Sequence, residues 1–238
     1  MKVVLAEKPS VAREIAQFLR AGSRREGYFE GNGYQVTWAY GHLVTLKEPD
    51  EYDAAWKKWS LDTLPILPER FELKTVDDKL SRKQFDVVKQ LFRAADEIIC
   101  ATDAGREGEL IFRYIQTLTG CASKPFSRLW LSSLTAKAIR EAFDKLRPGR
   151  EYDRLYAAAR CRSEADWIVG MNGTRNFTVR FGGHGLLWSV GRVQTPVLAM
   201  IVRRDDEIRT FRPEPFWELL TRYRETSFKF TGDRFADE

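Results

Sequence analysis

The sequence predicts an α/β protein: a mostly parallel sheet with helices on both faces. Two observations carry that expectation. The apolar runs Lys2-Val3-Val4-Leu5-Ala6 and Glu97-Ile98-Ile99-Cys100-Ala101 have the length and composition of buried strands. Each is followed by apolar residues at helical spacing, and this alternation of strand and helix continues to about residue 147.

Taken in order, the first strand leads through Glu7-Lys8-Pro9-Ser10 into a helix reaching Leu19, with Ser10 expected at the cap and Val11, Ile15, Phe18 and Leu19 on one face. Gly31-Asn32-Gly33, between Tyr28-Phe29-Glu30 and Tyr34-Gln35-Val36-Thr37-Trp38, predicts a hairpin over 27–39. Pro49, Pro65 and Pro68 interrupt residues 48–80, so an extended excursion is expected there. Its Trp56 and Trp59 suit burial against the sheet, or, if exposed, stacking on a base. Ser81 is expected to open a helix to Ala95 whose Phe85, Val88, Leu91 and Phe92 share a face.

After the strand at 97–101, Leu110, Ile111, Tyr114, Ile115 and Leu118 define a helix. A further strand is expected over 126–131. Ser132-Ser133-Leu134-Thr135 then leads into a helix carrying Ile139, Phe143 and Leu146, which Pro148-Gly149 stops. A domain boundary belongs near Pro148. Residues 149–213 are expected to be mainly helical, and from Phe216-Trp217 onward the chain becomes strand-like, with Phe228-Lys229-Phe230 alternating.

A chain of 238 residues, 43% hydrophobic and 13% aromatic, is not a disordered composition. It has no apolar run near a membrane span and no basic-then-apolar leader, so a cytoplasmic protein without a membrane role is expected. Cys100, Cys121 and Cys161 are odd in number and lack metal-site spacing. The formal net charge of +5 is, by itself, what many solvated surfaces carry. No phosphate-loop pattern and no dinucleotide fingerprint occurs, so a nucleotide cofactor is not expected.

The chemistry concentrates in Thr102-Asp103-Ala104-Gly105-Arg106-Glu107-Gly108-Glu109, at the carboxyl end of a strand, where open α/β sheets bind ligands. Three carboxylates this close repel unless a cation sits among them, and hard oxygen ligands suit Mg²⁺. Taken alone, the cluster is equally well a solvated first helical turn, where the helix dipole favours acids. Glu7, at a second strand end of the same expected sheet, tips the balance toward a site. His42 invites a catalytic reading, although a lone histidine beside a strand is more often structural.

Residues 151–212 hold ten arginines, no lysine and seven acids. Arginine's planar fork binds phosphate in two-point fashion and stacks on bases, which points toward nucleic acid; paired surface charges on an ordinary helical domain are the other reading.

These residues carry a family resemblance. Glu7-Lys8-Pro9-Ser10 together with the 102–109 stretch resembles the Toprim domain of type IA DNA topoisomerases, nearest the topoisomerase III branch. The runs Ala159–Arg175 and Ser189-Val190-Gly191-Arg192-Val193-Gln194-Thr195-Pro196 resemble that branch's gate-strand-binding domain. The resemblance implies a Rossmann-like Toprim domain over 1–148, the first part of a helical DNA-binding domain over 149–213, and the start of a β-rich arch domain over 214–238. It covers essentially this whole chain but only the first part of a topoisomerase.

It further implies ATP-independent cleavage, passage and resealing of single DNA strands. Glu7 would carry a proton and Lys8 steady the scissile phosphate; Asp103, Glu107 and Glu7 would hold Mg²⁺, with Arg106 and Glu109 behind them. Arg162, Asp166, Arg175, Arg192, Gln194 and Thr195 would line the DNA, with Val193, Val197, Leu198 and Ile201 burying the opposite face of their helix. The family's Asp-x-Asp-x-Glu motif has Gly105 in place of its middle aspartate, which removes a ligand and is expected to free the backbone for positive φ. None of the eight tyrosines is followed by proline and arginine, so the family's nucleophile is expected downstream. A Toprim nuclease or primase, and a non-catalytic single-strand-binding module, are the rival readings.

Overall fold

The structure, a computed structural model, describes residues 1–236; the last two residues of the 214–238 segment lie outside it. Residues 1–191 gather into one compact unit, and the chain from Arg192 onward forms a second.

The first unit opens with β1 (Lys2–Ala6) and α1 (Pro9–Phe18). Pro9 takes the first helical position with Lys8 at the cap, so the helix begins ahead of the expected Ser10 cap; a fixed φ and a missing N–H suit proline to that place. β2 (Ser23–Arg25), β3 (Tyr28–Gly31) and β4 (Tyr34–Trp38) follow as an antiparallel run, the last two forming the expected hairpin. β5 (Val44–Leu46) and β6 (Leu73–Thr75) pair across the excursion. Asp78 rather than Ser81 caps α2 (Lys79–Ala94), its side chain accepting from the Ser81 N–H at 2.9 Å. Then come β7 (Glu97–Ala101), α3 (Arg106–Leu118), β8 (Phe126–Arg128), α4 (Ala136–Asp144), β9 (Arg147–Pro148) and the long α5 (Asp153–Phe181).

Seven strands form one sheet in the order β2-β3-β4-β1-β7-β8-β9. Its centre, β4-β1-β7-β8, is parallel, while the outer pairs are antiparallel. Alternation along β1 and β7 divides the core. Val3, Leu5, Ile98 and Cys100 face α2 and α3 with Phe85, Val88, Phe92 and Ile115, whereas Val4, Ala6, Ile99 and Ala101 face α1 with Ala12 and Ile15. Each such aliphatic or aromatic side chain contributes about 1.5–3 kcal/mol of burial, which fixes the strand register and with it the sheet edge where β1 and β7 end.

The excursion is anchored on α5, not on the sheet as expected. Trp167 Nε1 donates to Lys47 O at 3.1 Å, and the Phe71 and Tyr52 rings meet the Trp167 ring edge-on at 5.4 and 6.2 Å. Asn172 accepts from Ile66 N at 2.6 Å and donates to Ile66 O at 2.9 Å. The polar side chains of α5 thus replace the ladder partners that a proline-broken segment cannot find in a sheet.

In the second unit, α6 (Gln194–Arg209) precedes a hairpin of β10 (Leu220–Tyr223) and β11 (Thr226–Lys229). The α6 face expected to be buried is exposed: Val193, Val197, Leu198 and Ile201 all keep about half or more of their surface. An apolar helical stripe is covered only by a second surface packed on it, and no residue of α6 is buried among the described residues. No described helix is long and apolar enough to cross a membrane.

Candidate metal and nucleic-acid site

β1 and β7 are neighbours in register, Ala6 opposite Ala101, so the residues that follow each strand emerge side by side. Glu7 Oε2 accepts from the Asp103 N–H at 3.2 Å. The Lys8 ammonium lies 3.2 Å from Asp103 Oδ2 and 3.8 Å from Glu7 Oε1. Glu7 is nearly buried, while the side chains of Lys8 and Asp103 remain open to solvent. Burial pushes the Glu7 carboxyl above the usual carboxylate range, against the pull of the Asp103 N–H. The hydrogen bond to Asp103 holds Lys8 above the usual lysine value.

Gly105 caps α3 with extended backbone, φ 168° and ψ −178°, and a β-carbon there would meet nothing within 4 Å. Neither space nor a positive φ requires glycine at 105, contrary to expectation. Gly108 is the position that needs one. A β-carbon on it would collide with the backbone of Asp103, because the first turn of α3 folds directly over that residue. Thr102 Oγ1 closes the same turn by donating to Gly108 O at 2.7 Å.

The remaining acids diverge. Glu107 Oε1 lies 3.1 Å from His42 Nε2, both side chains exposed, so Glu107 faces histidine and not Lys8. Among the described residues no three histidines, cysteines or acids are gathered tightly enough to hold a metal. Exposed oxygen donors on Asp103 and Glu107 still suit Mg²⁺, which commonly keeps several waters and takes one or two carboxylates. Glu109 points away from the other two acids and into the core. Its carboxylate has no exposed surface and lies between Arg128 Nε at 3.1 Å and Arg113 Nε at 2.9 Å, because its position on α3 turns inward.

A cavity of about 240 Å³ connects Glu107 with α5, lined by His42, Arg106, Glu107, Tyr114, Arg162 and Asp166 among others. Arg162 Nε stands 3.8 Å from Asp166 Oδ2 within it. Arg175 is elsewhere: it is buried, donates to the Trp56 carbonyl and lies over the Trp59 ring, so its guanidinium clamps the excursion and presents nothing to a phosphate. Gly173 and Thr174, beside it, pack on and hydrogen-bond to Val190. The 172–175 stretch therefore serves the fold. Arg192, Gln194 and Thr195 stand at the start of α6 in the second unit.

Sequence reasoning missed Arg128. It is wholly buried, yet it donates to the carbonyls of Cys100, Thr102, Asp103 and Leu129. The available signal was a charged residue inside a short strand between Phe126 and Leu129.

Two families of known proteins match the chain: the Toprim domain over residues 2–134 and DNA topoisomerase over 150–238. Among curated relatives, "DNA topoisomerase 3" of Bacillus cereus (strain ATCC 10987 / NRS 248) is 53% identical over 219 residues, which are 91% of this chain and 29% of the relative. That of Shouchella clausii (strain KSM-K16) is 47% identical over 240 residues, 100% of this chain and 32% of the relative. That of Bacillus subtilis (strain 168) is 51% identical over 219 residues. The chain thus spans about three-tenths of the length of these relatives.

Proposed function

The chain belongs to the Toprim family of type IA DNA topoisomerases, in the topoisomerase III branch, and from that premise we propose that it supplies the acidic site and part of the single-strand-binding surface of an ATP-independent DNA topoisomerase. The observation that carries this reading is the meeting of Glu7, Lys8 and Asp103 at the ends of two adjacent parallel strands. Residues 1–148 would form the Toprim domain, 149–213 the first part of the gate-strand-binding domain, and 214 onward the start of the arch. The same reading puts the protein in the cytoplasm. Similarity to topoisomerases across 150–238 does not favour a Toprim nuclease or primase.

In this reading single-stranded DNA contacts the lining of the cavity in the first unit and, separately, the start of α6 in the second. Arg162, Arg192 and Thr195 meet its phosphates, while Asp166 and Gln194 reach base edges. Lys8, open to solvent beside Asp103, steadies the phosphate at the strand ends. Glu7, nearly buried and reluctant to ionise, keeps a proton at pH values where an ordinary glutamate has lost it. It hands that proton to the departing 3′ oxygen and takes it back on resealing. Mg²⁺, when bound by Asp103 and Glu107 with Glu7 nearby, supplies positive charge against the phosphate. The nucleophilic tyrosine is not among the eight here and would come from another part of a full-length enzyme.

Anisotropy of a labelled oligonucleotide tests this. The chain should bind single-stranded DNA more tightly than duplex of the same length, lose affinity steeply with salt, and weaken further when Arg192→Ala and Gln194→Ala are combined. Equal affinity for duplex, or no effect of the double substitution at moderate salt, would overturn it.

A further inference from the structure

Glu109 and Arg128 form an ion pair with no exposed surface on either side chain. Taking two charges out of water is costly, and a well-packed apolar pair of similar volume is often as stable. What an apolar pair could not do is hold backbone. A guanidinium carries five N–H groups in one fixed plane, and Arg128 directs those not facing Glu109 at carbonyls. Nη1 donates to Cys100 O at 3.2 Å, Thr102 O at 2.8 Å and Leu129 O at 2.9 Å. Nη2 donates to Asp103 O at 2.7 Å.

Two of these four carbonyls, those of Thr102 and Asp103, belong to the exit of β7, where the chain leaves the sheet and turns into α3, and that of Cys100 lies just before it in the strand. Asp103 is held from both sides: its N–H by Glu7 and its C=O by Arg128. From the other oxygen of Glu109, Arg113 continues to Gly149 O at 2.9 Å and to Asp153 Oδ1 at 2.7 Å, where α5 begins. The carboxylate that fixes Arg128 is thereby itself tied to two elements of the unit.

We propose that Arg128 is a positioning residue for Asp103, with Glu109 as its fixed counter-charge: together they lock the turn after β7 so that the Asp103 side chain is presented to Lys8 at the sheet edge. What Asp103 then does rests on the function proposed above; the locking of the turn does not. A pair that served only to fill the core would support the whole sheet equally. A positioning pair controls the turn first.

The test is amide hydrogen exchange on the whole 238-residue chain. Glu109→Gln combined with Arg128→Gln leaves no buried charge alone and roughly conserves volume, so it is the variant suited to folding. Amides at 102–105 should exchange about tenfold faster or more, while those of Val3–Leu5 and Ile98–Cys100 stay within about twofold, because local opening and global unfolding are separable. Arg128→Lys, which keeps the charge but presents a single compact ammonium, should fall between. Mg²⁺ titration of the same variants is the second readout, with weakened binding expected in the double variant. If the unsubstituted chain binds no Mg²⁺ while the exchange pattern holds, the metal reading fails and the positioning role stands. Unchanged exchange at 102–105, uniform acceleration across the sheet, or loss of folding would each make the pair a core support and overturn the proposal.

Discussion

The Lys8 ammonium lies 3.2 Å from Asp103 Oδ2, so a cation already stands beside the acids to which a metal ion would be drawn. Lysine and Mg²⁺ therefore compete for the same negative charge. Lys8→Met is expected to bind Mg²⁺ severalfold more tightly than the unsubstituted chain, since a neighbouring cation no longer opposes it, and to bind single-stranded DNA less well. Titration calorimetry at fixed pH and salt reads the first effect; unchanged or weaker Mg²⁺ binding would mean that Lys8 does not shape the site.

Gly105 occupies the place where the family motif carries its middle aspartate. Its backbone is extended and the space around it is open. Gly105→Asp should fold normally and bind Mg²⁺ more tightly, because affinity rises with the number of carboxylate ligands. If the native chain already binds Mg²⁺ as tightly as the variant, the glycine does not thin the site.

Gly108 should behave in the opposite way. Even alanine there would drive the first turn of α3 into the Asp103 backbone, a rigid neighbour that cannot rotate aside. Gly108→Ala is expected to cost on the order of 3 kcal/mol or more, at the upper end of overpacking. A denaturant melt showing less than about 1 kcal/mol would mean the turn can shift to admit a methyl group.

Glu7 gives a pH dependence whose sign follows from burial. Its carboxyl is raised in the folded chain, so the native state holds the proton more tightly than the unfolded state does. The associated stability is fully present below the unfolded carboxyl range and is lost as pH rises through the folded value. Glu7→Gln, which removes the buried charge, should therefore raise Tm at pH 7, with the gain fading below about pH 4. The same gain at both pH values, or a loss at pH 7, would contradict this origin.

The sequence made legible what depends on local pattern. The runs at 2–6 and 97–101, the glycine-rich hairpin turn and the acids following two strands are set by periodicity and by residues adjacent in the chain. What escaped depends on distant partners. The pairing of β5 with β6 spans the excursion, and the excursion is held by Trp167, Asn172 and Arg175 about a hundred residues later. Arg175 read as a DNA-lining residue because arginine's exposure is not written in its neighbours. Glu109 read as part of the acidic cluster because three acids in seven residues look alike until α3 turns one of them inward. Arg128 was invisible for the complementary reason: a charge in a strand is plausible only once its carbonyl partners are known.

The most direct test of the acidic site is a crystal of this chain with a short single-stranded oligonucleotide and Mn²⁺ in place of Mg²⁺, read by anomalous diffraction. The account predicts a manganese peak bounded by Asp103 and Glu107 with a DNA phosphate against the Lys8 ammonium. A peak remote from those carboxylates, or a bound strand whose phosphates avoid Lys8, would contradict it.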